Sequence, residues 1–138
     1  MGKPHYLIFK WKYSNNKLFH WTYIKRTNID GKTPLFKASL GGKVTAVKYL
    51  IEHGADINKG DKEGKTSLFK ACLSGNVEVV KYLVKHGADI NRVDKDGETS
   101  LFKACKIKMK QLSKYLVKYG AMINMTSCYG KTPLSIAM

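Results

Sequence analysis

The feature that most constrains this chain is a repeat of 33 residues. Gly31, Gly64, Gly97 and Gly130 share one column, Leu35, Leu68, Leu101 and Leu134 a second, and Ala38, Ala71, Ala104 and Ala137 a third. A fixed period of this length marks a supersecondary unit that cannot bury its apolar face alone and does so against a neighbouring copy. The stretch from Asp61 to Asn91 is the fullest statement of the unit. The chain must therefore stack, layer on layer.

Local chemistry says what each layer contains. A turn opens the unit (Asp30-Gly31, Glu63-Gly64, Asp96-Gly97), with glycine where the backbone needs positive φ. Thr33, Thr66 and Thr99 follow as N-caps, and Pro34 suits the first helical position because its missing N–H is not needed there. Leu35 and Ala38 then share one face of a short first helix. Gly75-Asn76 breaks that helix and starts a second, in which Glu78 complements the positive helix end, while Val79, Val80, Leu83 and Val84 keep helical spacing for a buried stripe. Gly54, Gly87 and Gly120 stop the second helices, and Asn58, Asn91 and Asn124 lie in the return to the next turn.

The regular pattern predicts an all-α solenoid with repeats at 28–60, 61–93 and 94–126 and a truncated one at 127–138. Residues 1–27 differ, with six basic residues, no acidic one and both tryptophans. Two readings fit them. Alternating Phe9, Trp11 and Tyr13, the Ser14-Asn15-Asn16-Lys17 turn and alternating Phe19, Trp21 and Tyr23 suit a β-hairpin. A degenerate helical cap, with an outer helix ending near Lys25, suits the need to close a stack. At the other end, Ile136 and Ser135 stand where earlier units have lysine and phenylalanine. This predicts a frayed final helix at 127–138, and either weak end-to-end self-association or cover from chain beyond Met138 in a longer parent.

Gly-Lys-Thr-Pro-Leu-Phe-Lys-Ala, Val-Val-Lys-Tyr-Leu-Val-Lys-His-Gly-Ala-Asp-Ile-Asn and the 33-residue period together resemble the ankyrin repeat family over residues 28–138. The resemblance implies antiparallel helix pairs in a curved slab, with β-turn fingers on one side. It also implies a protein-binding scaffold whose partners sit on the fingers and the concave face of the first helices. Two departures stand out. Phe36, Phe69 and Phe102 replace the family's usual histidine, so aromatic packing is expected in place of a polar tie between layers. In the third repeat Lys108, Met109 and Lys110 replace Gly75, Asn76 and Val77, Ser113 replaces Val80, and Met122 replaces Asp89. Loss of the glycine, at a cost of about 1 kcal/mol, predicts a distorted or mobile turn.

Charge narrows the partners. The net charge of +15 on 138 residues draws acidic proteins, nucleic acid or an anionic surface. No apolar run approaches the roughly 20 residues of a membrane span, and Tyr6 stands where a Gly2 myristoylation signal wants Ser or Thr. Cys72 and Cys105 occupy successive layers, and helices about 8–10 Å apart are too distant for a disulfide. Reduced thiols and an intracellular setting are expected.

Catalytic signatures are missing from the chain: no Cys-x-x-Cys, no His-Glu-x-x-His, no phosphate loop and no Gly-x-Ser-x-Gly. His53 and His86 belong to helix endings, Asp56 and Asp89 to braced loops, and Cys72 and Cys105 to the packed inner helix, so no enzyme, cofactor or metal is expected. Cys128 has no base near it in sequence. Finger and groove positions vary most, Lys59, Lys62 and Lys65 becoming Arg92, Lys95 and Glu98, and Leu73-Ser74 becoming Lys106-Ile107. That is how a partner-reading surface varies. The expected partner-binding residues are Lys32, Lys37, Lys62, Lys65, Lys70, Lys95 and Lys103, with Lys37, Lys70 and Lys103 as a ladder along the groove facing an acidic protein. The competing class is a nucleic-acid or polyanion binder using the basic surface and the aromatic N-terminal segment.

Overall fold

The structure, a computed structural model, describes residues 23–124 together with 130, 131 and 133. Three helix pairs follow one another: α1 (Pro34–Leu40) with α2 (Val44–Glu52), α3 (Ser67–Ser74) with α4 (Val77–Lys85), and α5 (Ser100–Lys106) with α6 (Lys110–Lys118). No strand occurs among the described residues. The hairpin reading of residues 1–27 and the expected fraying of the last helix fall largely outside them. Residues 23–25 are helical, and Ile24 is buried in the core.

Each first helix starts as its sequence dictates. Thr33, Thr66 and Thr99 are extended, and their hydroxyls accept from the amides of Phe36, Phe69 and Phe102 at 3.2, 3.4 and 3.3 Å. An N-cap of this kind contributes about 1 kcal/mol. Inner helices α1, α3 and α5 stack closely and the outer ones more loosely. The small Ala71 and Ala104 sit at the inner contact with no exposed surface, and the leucine column of 35, 68 and 101 is buried beside them. Cys72 shares that contact, as expected for a small packed hydrophobe.

Between the pairs the chain projects as a finger. Asp61 Oδ1 accepts from the amides of Glu63 and Lys65, both at 2.9 Å, while Asn28 and Asp94 brace their own fingers in the same way. Successive fingers touch through backbone: Lys62 N–H donates to Asp30 O at 3.0 Å and Lys95 N–H to Glu63 O at 2.8 Å. Glycine is required there twice over. Gly64 has φ of +78°, and a β-carbon on it would lie 3.2 Å from Asp94 Cα.

A second tie runs along the opposite loops. Asn58 Nδ2 donates to Gly87 O and Asn58 Oδ1 accepts from Asp89 N–H, at 3.2 and 2.7 Å. Asn91 repeats this on Gly120 O and Met122 N–H at 3.1 and 2.8 Å. This tie uses only the backbone of residue 122, so methionine keeps it in place of the aspartate of the preceding layer. Asp56 and Asp89 accept from Asn58 and Asn91 amides, and the His53 and His86 Nδ1 atoms contact the Tyr49 and Tyr82 carbonyls. These are the structural roles expected of them.

The expected distortion of the third inter-helix turn does not occur. Lys108 takes φ of 59°, beside 68° and 71° at Gly42 and Gly75. The turns close alike, through Lys43 N–H to Ala38 O, Asn76 N–H to Ala71 O and Met109 N–H to Ala104 O at 3.0, 3.1 and 3.1 Å. The reason is tertiary. Met109 presses so closely on Gly75 that a β-carbon there would meet its sulfur at 2.7 Å, which seats the third turn on the second. Lysine accordingly bears the left-handed strain. Lys108→Gly should raise the unfolding free energy by about 1 kcal/mol in a denaturant titration, with the slope unchanged.

Candidate functional site

The phenylalanine column is where the layers meet the lysines. Phe36, Phe69 and Phe102 are each only 2% exposed, held by the N-cap bonds to their own amides. Two ammonium groups flank Phe36: Lys32 from the same finger, 5.6 Å from the ring centroid, and Lys70 from the next layer, 5.3 Å away. Phe69 repeats the pattern with Lys65 at 6.0 Å and Lys103 at 5.3 Å. The aromatic packing expected between layers is present, and the rings do more than fill space. A cation over a ring face is attracted by its quadrupole, by about 0.5–1 kcal/mol where partly exposed. The spacing of Phe36 and Lys70 across one layer was the available signal for this role, and it lies outside any local motif.

One substitution makes the two layers differ. In the second finger Lys65 pairs with exposed Glu63 at 3.0 Å. That hydrogen bond leads the effects raising the Lys65 pKa, with Asp94 and Asp61 adding smaller attractions. In the third finger Glu98 stands in the column of Lys65 and forms a buried ion pair with Lys103. The ladder is thus graded: Lys37 is exposed, Lys70 half-buried, and Lys103 buried and paired. Lys103 is committed to the fold.

Lys32, Lys62, Lys65 and Lys70 converge on a cleft of about 240 Å³ that Asp30, Asp61 and Glu63 also line. Two of its acids are engaged, Asp61 by two backbone amides and Glu63 by Lys65. Lys32 and Lys70 have no carboxylate within 4 Å among the described residues. Burial pushes the Lys70 pKa down, and Lys65 and Lys32 lower it further by repulsion. Lys62 and Lys95 are exposed at the fingertips, outside the ring contacts.

For a hard cation the described residues offer the carboxylates of Asp94, Asp96 and Glu98, whose ligand atoms lie within 4.8 Å of one another. Two are already in use, Asp94 Oδ1 bracing the finger and Glu98 holding Lys103. Burial also pushes the Cys72 thiol up to about 12, so it stays protonated at neutral pH and is a poor nucleophile.

Stacked helix pairs with projecting fingers define a helical repeat solenoid. The sequence matches the family model for ankyrin repeats (3 copies) over residues 7–94 and again over 87–138. The chain belongs to the ankyrin repeat family, whose members are generally protein–protein interaction modules. The first match begins within the aromatic N-terminal segment. No individual curated protein matches the sequence. No described helix is long and apolar enough to cross a membrane.

The buried pair sets a test. Removing one partner leaves the other charge uncompensated, so Glu98→Gln should destabilise the protein by roughly 3 kcal/mol in chemical denaturation. The double variant Glu98→Gln with Lys103→Met should recover most of that loss.

Proposed function

We propose that this protein is a non-catalytic scaffold that captures an acidic segment of a partner protein across its finger bases and first-helix face. The observation that carries this reading is the arrangement of Lys32 and Lys70. Two cations share one ring, in a cleft, and neither has an acid within ion-pair distance among the described residues. Their stems are ordered against Phe36 before any partner arrives, so little side-chain entropy remains to be lost on docking. A carboxylate entering the cleft relieves their mutual repulsion and gains charge-assisted hydrogen bonds.

Neighbouring residues give this docking a direction. Lys37 continues the surface along α1, and Lys62, Lys65 and Lys95 continue it along the fingers, with Lys65 already balanced by Glu63. Lys103 lies behind this row, paired with Glu98, and acts through the shape of the third finger. The partner's acidic side chains are accordingly read most strongly between the first and second layers.

Binding of a fluorescent poly-glutamate peptide tests the reading. Each of Lys32→Glu and Lys70→Glu should weaken binding about tenfold, the value of one charge-assisted contact of about 1.4 kcal/mol, and the double variant should bind with little salt dependence. Unchanged affinity in the double variant, with its melting curve intact, would remove the cleft from the binding surface.

A further inference from the structure

The outer helices carry a second charge pattern, on the side away from the fingers' cleft. Helix α2 reads VTAVKYLIE, α4 VEVVKYLVK and α6 KQLSKYLVK. Lysines less glutamates give one less one, two less one and three less none, so the helix charge climbs from 0 through +1 to +3. Beyond Glu98 the sequence has no further acidic side chain.

In α6 the lysines are aligned as well as numerous. Lys110, Lys114 and Lys118 are four residues apart, which places them on one line at intervals of about 6 Å. That line runs opposite Leu112 and Leu116, both fully buried. Lys106, at the end of α5, and Lys108, in the turn, precede the row in sequence, and all five lysines are exposed. None of the five lies within ion-pair distance of a carboxylate among the described residues.

This arrangement runs against local stability at three points. Lys108 is left-handed where the earlier turns use glycine. Lys110 stands in the first turn of α6, against the positive helix end, where α4 has Glu78. Lys110–Lys114 and Lys114–Lys118 are like-charge pairs at i,i+4 spacing. The earlier turns use glycine and the first turns of α2 and α4 hold no lysine, while a like-charge pair at this spacing occurs once before, Lys81–Lys85 in α4. Local rules broken together on one surface point to a use other than folding.

We propose that the outer face of α6, with the turn leading into it, binds the phosphate backbone of a nucleic acid without reading its base sequence. A regular row of flexible point charges is what phosphates spaced along a polymer require. Base reading asks instead for planar donors, and the only arginines, Arg26 and Arg92, precede this face in the sequence. A protein partner needs a buried apolar centre, whereas the exposed apolar side chains Ile107 and Val117 stand among five exposed lysines here. A bilayer surface would favour a two-dimensional patch with an inserted apolar residue, whereas these lysines form a line.

The experiment measures binding of the full chain to a mixed-sequence DNA duplex across a salt series, with phosphatidylserine vesicles and poly-glutamate as parallel probes. The triple variant Lys110→Gln, Lys114→Gln and Lys118→Gln is compared with Lys25→Gln, Lys43→Gln and Lys59→Gln, which removes the same charge from scattered exposed sites. At about 0.9 in the log–log salt slope per phosphate contact, the first variant should lower the slope by about 2.7 and the second by less than about 1. Lys108→Gly should lower it by about 0.9 while raising stability, and so reports on the site even if the triple variant folds poorly. Equal losses in both triple variants would reduce the effect to net charge and overturn the proposal. So would failure of the duplex to bind at low salt, or vesicle or poly-glutamate binding that equals the duplex and is lost in the first variant.

Discussion

Everything in this structure depends on the layers keeping one register. Asn58 and Asn91 each grip two backbone groups of the following loop, and the fingers add Lys62 to Asp30 and Lys95 to Glu63 on the other side. Between these ties the inner helices approach over alanine. A slip by even one residue would break all of these bonds together. The result is that sequence columns become rows in space, whether or not their charges are compatible. A lysine repeated every 33 residues must meet its own copies.

The protein manages that conflict differently in each layer. Lys70 is carried on Phe36, beside Lys32, and keeps part of its surface in water. Lys103 is carried on Phe69 in the same way, but it is also neutralised by Glu98 and sealed from solvent. Phenylalanine is thus useful here in a way that a neutral hydrogen-bonding side chain is not. It fills the interlayer space and presents a weakly negative face to two ammonium groups at once. One finger residue, Lys32, Lys65 or Glu98, then decides whether its own layer presents a free cation or a closed ion pair.

Much of the fold was legible because its determinants are local. A threonine before a helix, a glycine in a finger and an alanine between helices do the same thing wherever they occur, so the caps, the turns and the Leu35, Leu68 and Leu101 core followed from spacing alone. The fate of Lys103 did not, since it turns on Glu98, in a different element. Lys108 shows the same limit from the other side. Glycine's absence there argues for distortion, but Met109 seated on Gly75 overrules that preference and holds the turn in its usual form. Of the candidate site, the lysine positions were visible and their inequality was not. The phenylalanines read as packing, because one of the two cations that each of Phe36 and Phe69 faces comes from a neighbouring layer.

The two basic surfaces differ in kind. In the cleft, Lys32 and Lys70 are ordered on an aromatic ring and interleaved with Asp30, Asp61 and Glu63, an arrangement that on the proposed function suits a ligand with matching carboxylates. Along α6 the cations sit on long stems, Lys118 against the Tyr119 ring at 5.6 Å, with no acid on the helix to offset them. Spaced at about 6 Å, closer than the screening length of about 8 Å at physiological salt, neighbouring charges there act together and project outward as one. On the two proposals, the first arrangement would discriminate at contact and the second would attract before contact. A scaffold built from one repeated unit acquires both because the same stacking that fixes the cleft leaves the outward face of every second helix free to vary in charge.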